Sequence, residues 1–278
     1  MSNLPASAAR DTVIEVENLV THYGARMILR GVSLEMFQGE ILVVMGGSGS
    51  GKSTLMRHLL GLERPTSGCI RLLGRDITRM NHGELVDMRK RIGVAFQTGA
   101  LFSSMTVAEN IMLPLFEHTD LDTKTMEIMA RIKLEVVNLP GFGHLMPAEL
   151  SGGMIKRAAF ARAIIMDPQI LFCDEPSAGL DPVVSAALDE LILRLRDAMN
   201  MSIVVVTHEL ESAFKIADRI AVLDEGQLLF LGSVDALRQE SNPRIQNLLN
   251  RRADEATVDA DEYLQRLTGE DLHNRVAR

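Results

Sequence analysis

This sequence has few cysteines, no long apolar run and no excess of positive charge. Only Cys69 and Cys173 occur among 278 residues, and they lie far apart. The pair offers no metal-ligand spacing and suits a reducing compartment. Cys173 falls in the apolar run 170–173, so we expect it to be a small buried core residue.

The chain also lacks a segment that could cross a membrane. No stretch approaches the roughly 18 uninterrupted apolar residues that a spanning helix needs, and residues 1–11 lack the apolar centre of a secretory signal. We therefore expect a cytosolic protein unless another component holds it at a membrane. The net charge of -8 argues against a broad nucleic-acid-binding face, although it does not exclude a local basic patch.

The remaining composition is ordinary for a globular protein, with 46% hydrophobic and 24% charged residues. Continuous apolar runs at 41–45, 170–173 and 203–206 predict strands buried on both faces, and they alternate with helical patterns. This alternation predicts an α/β fold with a parallel sheet. Further strands are predicted at 13–20, 34–37, 70–73, 92–96, 220–223 and 228–231, the last two as a hairpin, and helices at 54–60, 154–165 and 183–199.

The chain divides, on this interpretation, into a core, an insertion and a tail. The core is discontinuous and comprises residues 1–96 and 166–240, with an antiparallel β subdomain beside the parallel sheet. Residues 97–165 form a mostly helical insertion, and residues 241–278 a charged C-terminal extension. We expect the helical pattern to break at three prolines: Pro114, Pro140 and Pro147.

Residues 46–53 match the P-loop pattern and lie between a buried strand and a helix. Their glycines let the backbone curl so that N–H groups point at phosphate oxygens. Lys52 would supply positive charge to the β- and γ-phosphates of ATP, and Ser53 a hydroxyl to Mg²⁺. A glycine-rich turn without a ligand is the alternative. The predicted nucleotide-binding residues here are Gly46, Gly47, Ser48, Gly49, Ser50, Gly51, Lys52, Ser53 and Thr54.

Two carboxylates, Asp174 and Glu175, follow the apolar run 170–173. The carboxyl ends of strands form the ligand crevice of an open α/β sheet. We predict that Asp174 holds Mg²⁺, through water, and that Glu175 faces the water that attacks the γ-phosphate. A solvated strand end is the alternative, and the P-loop elsewhere in the chain argues against it.

A second anion site is predicted at Ser151, Gly152 and Gly153, just before the helical run 154–165. The two glycines leave backbone N–H groups exposed at the N-terminus of that helix. On their own, these three residues would equally predict a simple helix cap.

In combination, these elements resemble the ABC ATPases, and the resemblance covers roughly residues 13 to 235. Residues 150–154 are similar to the family's signature motif, with Met154 where glutamine is more frequent. The phosphate contacts come from the serine and the glycines, so we expect no loss of activity.

The resemblance implies roles for residues outside the P-loop. It implies that Tyr23 stacks on adenine, that Gln97 is the Q-loop glutamine beside the γ-phosphate and Mg²⁺, and that His208 is the catalytic switch histidine. It also implies that Asp181 belongs to the D-loop at the nucleotide. Without the resemblance, Tyr23 could be a half-buried aromatic and His208 an ordinary capping residue.

The resemblance further implies a homodimer. In ABC ATPases, the signature of one subunit closes over the nucleotide on the P-loop of the other, and this chain carries one motif set. Residues 98–116 could pack internally, receive a helix of a membrane partner, or do both. The strongly apolar residues among them include Leu101, Phe102, Met105, Val107, Ile111, Met112 and Leu113.

Residues 97–102, 113–119 and 145–154 are similar to the ATPases of MCE (Mla-type) lipid-transport systems. This resemblance implies a phospholipid or other hydrophobic cargo and a place at the cytoplasmic face of the bacterial inner membrane. It implies an integral-membrane permease, an MCE-domain protein and sometimes a STAS-domain subunit as partners, and no nucleic acid. In such relatives a C-terminal extension can clasp the other ATPase subunit, whereas residues 244–249 by themselves predict a short helix before a solvated end.

Three rival functions stay open from the sequence. One is an ATPase for an importer of polar solutes. Another is a soluble ABC protein of DNA repair or translation, although such proteins usually carry two cassettes or a long coiled coil. The third is a P-loop kinase, which would lack the signature and the switch histidine.

Overall fold

The computed structural model describes residues 11–250, and within that range the chain forms ten strands and nine α-helices. The strands are β1 (Thr12–Tyr23), β2 (Arg26–Phe37), β3 (Ile41–Met45), β4 (Ser67–Leu72), β5 (Arg75–Asp76), β6 (Ile92–Ala95), β7 (Ile170–Asp174), β8 (Ser202–Val206), β9 (Arg219–Asp224) and β10 (Gln227–Gly232). The helices are α1 (Lys52–Leu59), α2 (His82–Arg89), α3 (Val107–His118), α4 (Thr123–Val136), α5 (Gly152–Ala163), α6 (Pro182–Met199), α7 (Leu210–Ile216), α8 (Val234–Arg238) and α9 (Pro243–Leu249).

A six-stranded sheet forms the centre of the molecule, in the order β10-β9-β3-β8-β7-β6. The five strands from β9 to β6 are parallel, and β10 pairs with β9 in antiparallel orientation. Every residue of β3 and β8 is buried, as expected for strands covered on both faces. The predicted α/β class is confirmed.

A second, antiparallel sheet has the order β2-β1-β4-β5. Along β1, Ile14 and Val16 are buried, whereas Glu15 between them and Glu17 after them are more exposed. One hydrophobic cluster joins this sheet to α1 and to one face of the central sheet, through residues such as Leu55 and Phe172. This cluster fixes the position of α1, and with it the P-loop that precedes α1.

The hairpin between β9 and β10 is confirmed, and its turn contacts the P-loop. Glu225 and Gly226 both have positive φ angles, as a two-residue turn requires. A Cβ atom on Gly226 would lie 2.0 Å from the carbonyl oxygen of Ile28, so only glycine fits there. The amide of Gly226 donates to the carbonyl of Ser50 at 3.1 Å, which ties the turn to the phosphate loop.

The helical insertion differs from the sequence prediction at one proline. The predicted break at Pro114 is wrong, because α3 continues through that residue. Proline removes the hydrogen bond to the carbonyl four residues earlier, but Ile111, Met112 and Leu115 are buried on both sides of it. Packing of α3 against α4 and α5 therefore maintains the helix.

The chain separates into two compact units, residues 1–239 and 240–278. In the described part of the second unit, the predicted short helix is confirmed as α9, capped by Asn242. Residues 251–278, where the predicted clasp would continue, lie outside the described residues. Within residues 11–250, no helix combines the length and apolarity needed to cross a bilayer.

Candidate active site

Four predicted motifs meet at one edge of the central sheet. The strands β3, β8, β7 and β6 are neighbours and parallel, so their carboxyl ends lie at the same edge. They lead respectively into residues 46–53, His208, the pair Asp174 and Glu175, and Gln97. Such an edge is where open α/β sheets bind their ligands.

The loop at 46–53 has the shape of a phosphate cradle. Gly46 has a φ of 154°, and a Cβ atom there would lie 2.1 Å from the carbonyl oxygen of Leu223. By contrast, Cβ atoms on Gly47 and Gly49 would meet nothing within 4 Å. The loop is therefore fixed on its protein side and open on its outer side, where Gly47, Ser48 and Gly49 are exposed. An anion can approach these backbone N–H groups directly.

Lys52 curls over this loop and faces the acid pair. Its Nζ donates to the carbonyl oxygens of Gly46 and Gly47, at 2.8 Å each. Burial lowers the pKa of Lys52, and the nearby carboxylates of Glu175 and Asp174 oppose that shift. The ammonium group is thus held at the P-loop, within electrostatic reach of both carboxylates.

Glu175 is held in an unusual backbone conformation directly after β7. Its φ angle is 44°, in the left-handed region that non-glycine residues seldom adopt. Its amide donates to the carbonyl of Val206 at 2.8 Å. Its Oε1 lies 2.8 Å from Nδ1 of His208, and its Oε2 accepts from the His208 amide at 3.4 Å. The structure thus joins the predicted base to the predicted switch histidine.

Asp174 ends β7 and is partly buried. Burial raises the pKa of its carboxyl group, and the adjacent Glu175 raises it further. The charges of Lys156 and Lys52 act in the opposite direction. Any additional positive charge would stabilise the ionised carboxylate in this environment, which suits Asp174 to bind a cation.

A cavity of about 230 Å³ lies beside the P-loop and Tyr23. Tyr23 is 45% exposed, and its hydroxyl donates to Glu63. Glu63 in turn pairs with Arg57 on α1. Arg26 also lines this cavity, and the sequence interpretation missed it because nothing in the motif pattern marks that position. The remaining lining residues are Ile28, Gly49, Ser50, Gly51, Lys52, Ser53 and Thr54.

The signature residues lie apart from this cavity. Ser151 caps α5, since its hydroxyl accepts from the amide of Met154 at 3.4 Å. A Cβ atom on Gly153 would lie 2.6 Å from Cγ1 of Val184, so this glycine allows α5 to approach α6. Among the residues that the structure describes, none of the signature lines the P-loop cavity.

Asp181 also lies outside the P-loop cavity within the described chain. Its carboxylate caps α6 by accepting from the amides of Val183 and Val184, at 3.0 Å each. The predicted contact of Asp181 with nucleotide therefore stays a prediction.

Gln97 has an exposed side chain, but the backbone of its loop is firmly held. Lys156 donates to the carbonyl of Gln97, and Arg162 donates to the carbonyls of Gly99 and Ala100 at 2.8 and 2.7 Å. Burial lowers the pKa of both basic groups. Sequence reasoning missed Lys156 and Arg162, because basic residues within a helix usually face solvent.

Comparison with known proteins agrees with this geometry. Residues 29–178 match the family model described as ABC transporter. The phospholipid transport ATP-binding protein MlaF of Haemophilus influenzae is 39% identical over 242 residues, which cover 87% of this chain and 92% of that protein. The probable ribonucleotide transport ATP-binding protein mkl of Mycobacterium leprae is 39% identical over 239 residues, covering 86% and 69%.

A solved structure shows the same architecture as a dimer. The ATP-binding cassette MJ0796, in a post-hydrolysis state bound to ADP and phosphate, matches with a TM-score of 0.73 and 29% identity. The match covers 80% of this chain and 98% of that one.

The fold and the site define a P-loop ATPase of the cassette type. The chain belongs to the ABC transporter family, as an ATP-binding subunit that hydrolyses ATP.

Proposed function

We propose that this chain powers the transport of phospholipid, or of a similar hydrophobic molecule, in an MCE/Mla-type system. The main support is the sequence similarity to MlaF proteins. The Haemophilus influenzae protein is 39% identical, and the match extends over 92% of its length. The MlaF of Escherichia coli K12 is 38% identical over 242 residues. These relatives are named for intermembrane phospholipid transport.

Glu175 acts as the general base in the proposed mechanism. The Glu175 carboxylate lies at the carboxyl end of β7, and its Oε1 is 2.8 Å from Nδ1 of the His208 imidazole. From there Glu175 accepts the proton of the attacking water, while Lys52 and the loop amides stabilise the charge on the phosphate oxygens. Gln97 contacts the γ-phosphate region, and Tyr23 stacks on the adenine.

The donor groups fit a magnesium ion shared with the nucleotide. Ser53 offers an exposed hydroxyl and Asp174 a half-buried carboxylate, both hard oxygen ligands. No cluster of three or more His, Cys, Asp or Glu suited to a metal occurs among residues 11–250. Mg²⁺ is therefore expected to be held by Ser53, Asp174 and Gln97 together with phosphate oxygens. When bound, it neutralises charge on the β- and γ-phosphates.

The second half of each site is proposed to come from another copy of the chain. The P-loop cavity measures about 230 Å³, which is below the usual range for a small-molecule site. In the described chain the amide-rich end of α5, at Ser151, Gly152 and Gly153, lies outside that cavity. A head-to-tail dimer would bring these amides, with Asp181, over the nucleotide of the partner. Dimeric cassettes among the solved structures support this arrangement.

A groove next to the Q-loop is the proposed docking site for an integral-membrane permease. It has a volume of about 450 Å³ and lies between β6, α3 and α5. Phe96 and Phe102 on its wall are 41% and 53% exposed. Val107 and Ile111, from the same apolar segment, are buried core residues. Some residues of the apolar segment 98–116 therefore belong to the core, whereas others line the groove.

The subunit is proposed to work at the cytoplasmic face of the bacterial inner membrane, attached through its permease. An MCE-domain protein and a STAS-domain subunit are the further partners that the resemblance to Mla-type systems supports. No nucleic acid partner is proposed, in line with the net charge of -8.

A ribonucleotide is the second candidate cargo. The observation in its favour is the mkl protein of Mycobacterium leprae, which is as similar to this chain as MlaF but is named for ribonucleotide transport. The extent of coverage favours the lipid assignment, since the match spans 92% of MlaF and 69% of mkl.

The test is transport by the complete complex, purified from its native membrane and reconstituted into vesicles. We expect ATP-dependent transfer of a fluorescent phospholipid and no uptake of radiolabelled ribonucleotide. The same complex with Glu175→Gln serves as the control, in which transfer should stop. Ribonucleotide uptake without lipid transfer would overturn the phospholipid assignment and leave the ATPase site untouched.

A further inference from the structure

Lys156 lies in the middle of α5, and its side chain points into the protein. The residue is only 8% exposed. Its ammonium group donates to the carbonyl oxygen of Gln97 and, at 3.3 Å, to the carbonyl oxygen of Glu175. Asp174 and Glu175 attract its charge at longer range, which opposes the effect of burial on its pKa.

A buried ammonium group held mainly by backbone carbonyls is energetically costly. A methionine of similar length would fill the same space without that cost. The two hydrogen bonds of Lys156 offset part of that cost, and they link two specific backbone positions. Both positions belong to residues proposed to act at the γ-phosphate.

The carbonyl of Glu175 is one of these positions, and its backbone is strained. With a φ of 44°, the residue stays in the left-handed region only because its neighbours hold it there. Its amide is held by Val206 and its carbonyl accepts from Ala178 as well as from Lys156. These contacts determine where the carboxylate points.

The second position lies in the Q-loop, at residue 97. One and a half turns further along α5, Arg162 holds the carbonyls of Gly99 and Ala100. The helix that begins with the signature thus binds three backbone carbonyls of the Q-loop, those of residues 97, 99 and 100. Any shift of α5 must move residues 97–100 and, through Lys156, the backbone at Glu175.

We infer that Lys156 is a positioning residue that couples the signature helix to Glu175 and to the Q-loop. It acts through the two backbone carbonyls to which it donates. It sets the Glu175 carboxylate and the Gln97 backbone in register with α5, whose first turn is proposed to contact the nucleotide of the partner subunit. This inference rests on the proposed roles of Glu175 and of the signature.

The test compares Lys156→Met with Lys133→Met in the full-length chain. Lys133 is also a buried lysine of the helical insertion, but it pairs with Asp167 and contacts no site residue. We expect Lys156→Met to lower kcat for ATP hydrolysis at least tenfold, with KM and the Kd for a fluorescent ATP analogue within twofold of wild type. Lys156→Arg, which keeps the charge and the donors, should recover at least half of kcat.

Several results would overturn the inference: an unchanged kcat in Lys156→Met, an equal loss in Lys133→Met, or no recovery in Lys156→Arg. If Lys156→Met does not fold, as judged by circular dichroism, Lys156→Gln replaces it with the same expectations. Glu175→Gln is measured in parallel. A Glu175→Gln variant at full activity would refute the proposed site itself, whereas an inactive Glu175→Gln beside an active Lys156→Met would refute only the coupling.

Discussion

The chemistry of the site depends on single side chains at the strand ends. Several of them have an unfavourable backbone conformation or an unfavourable electrostatic environment. The motif pattern, together with the resemblance to ABC ATPases, predicted Lys52, Asp174, Glu175 and His208 at one site, and the carboxyl ends of parallel strands coincide at one sheet edge. It could not predict the left-handed backbone of Glu175 or the inward direction of Lys156. Both depend on contacts between residues far apart in sequence, which no local pattern encodes.

The ionised carboxylate of Asp174 should lower the stability of the folded protein. Burial and the charge of Glu175 raise its pKa, so ionisation is less favourable in the folded than in the unfolded protein. The penalty is present above the raised folded-state pKa and absent once both states are protonated. We expect Asp174→Asn to raise the melting temperature by a few degrees at neutral pH, and the difference from wild type to shrink toward about pH 4.

Calorimetry from neutral to acidic pH measures this difference, and an ATPase assay should show that Asp174→Asn has lost most of its activity. A lower melting temperature than wild type at neutral pH would contradict the conclusion that the ionised Asp174 carboxylate destabilises the fold.

Glu63 should determine how well Tyr23 is placed for adenine. Because the Tyr23 hydroxyl donates to Glu63, Glu63→Ala frees the ring to rotate away from the nucleotide. We expect KM for ATP to rise several-fold with kcat within twofold, and a smaller rise in Glu63→Gln, whose amide oxygen still accepts. Glu17→Ala is the matched control, since Glu17 also pairs with an arginine, Arg71, on the same antiparallel sheet. A fall in kcat with unchanged KM would refute this role.

At the scale of helices and strands, continuous apolar runs predicted their strands well, whereas short segments with a weak pattern were missed. The runs that form β3, β7 and β8 were placed within one residue of their observed limits. Helices α2, α7 and α8 were missed, because they are short and their apolar faces are weakly marked. Only the capping box of Asn81 and Glu84 could have indicated α2.

The contact between α5 and α6 should depend on the absence of a side chain at Gly153. A methyl group there would lie 2.6 Å from Val184. Overpacking of this kind costs roughly 1–3 kcal/mol, against a gain of about 0.5–1 kcal/mol from replacing a helical glycine. We therefore expect Gly153→Ala to lower the melting temperature.

The double variant Gly153→Ala/Val184→Ala, which removes the clash, separates packing from function. We expect it to unfold at a higher temperature than Gly153→Ala while ATP hydrolysis stays impaired, because the methyl group still crowds the first turn of α5, whose amides are proposed to meet phosphate. Full recovery of hydrolysis would mean that Gly153 serves packing alone.

At the scale of the whole molecule, the groove beside the Q-loop should be needed for assembly but not for hydrolysis. Asn110 fixes the backbone at Phe102 by accepting from its amide and donating to its carbonyl, and Phe102 is 53% exposed. We expect Phe102→Asp to prevent co-purification with the permease while the isolated chain keeps its ATPase rate. Ile132→Asp on α4, equally exposed at 53%, is the control and should retain the permease. Loss of the permease in both variants would argue against a specific docking site.

The sandwich of ATP between two copies of the chain is tested most directly by sedimentation of Glu175→Gln, which should bind ATP without turning it over. We expect monomers without nucleotide and dimers with saturating ATP and Mg²⁺. Adding Ser151→Arg to this variant should leave ATP binding to the P-loop intact but prevent the dimer, because a bulky side chain then blocks the start of α5. Monomers at saturating ATP, or dimers that tolerate Ser151→Arg, would contradict the head-to-tail arrangement.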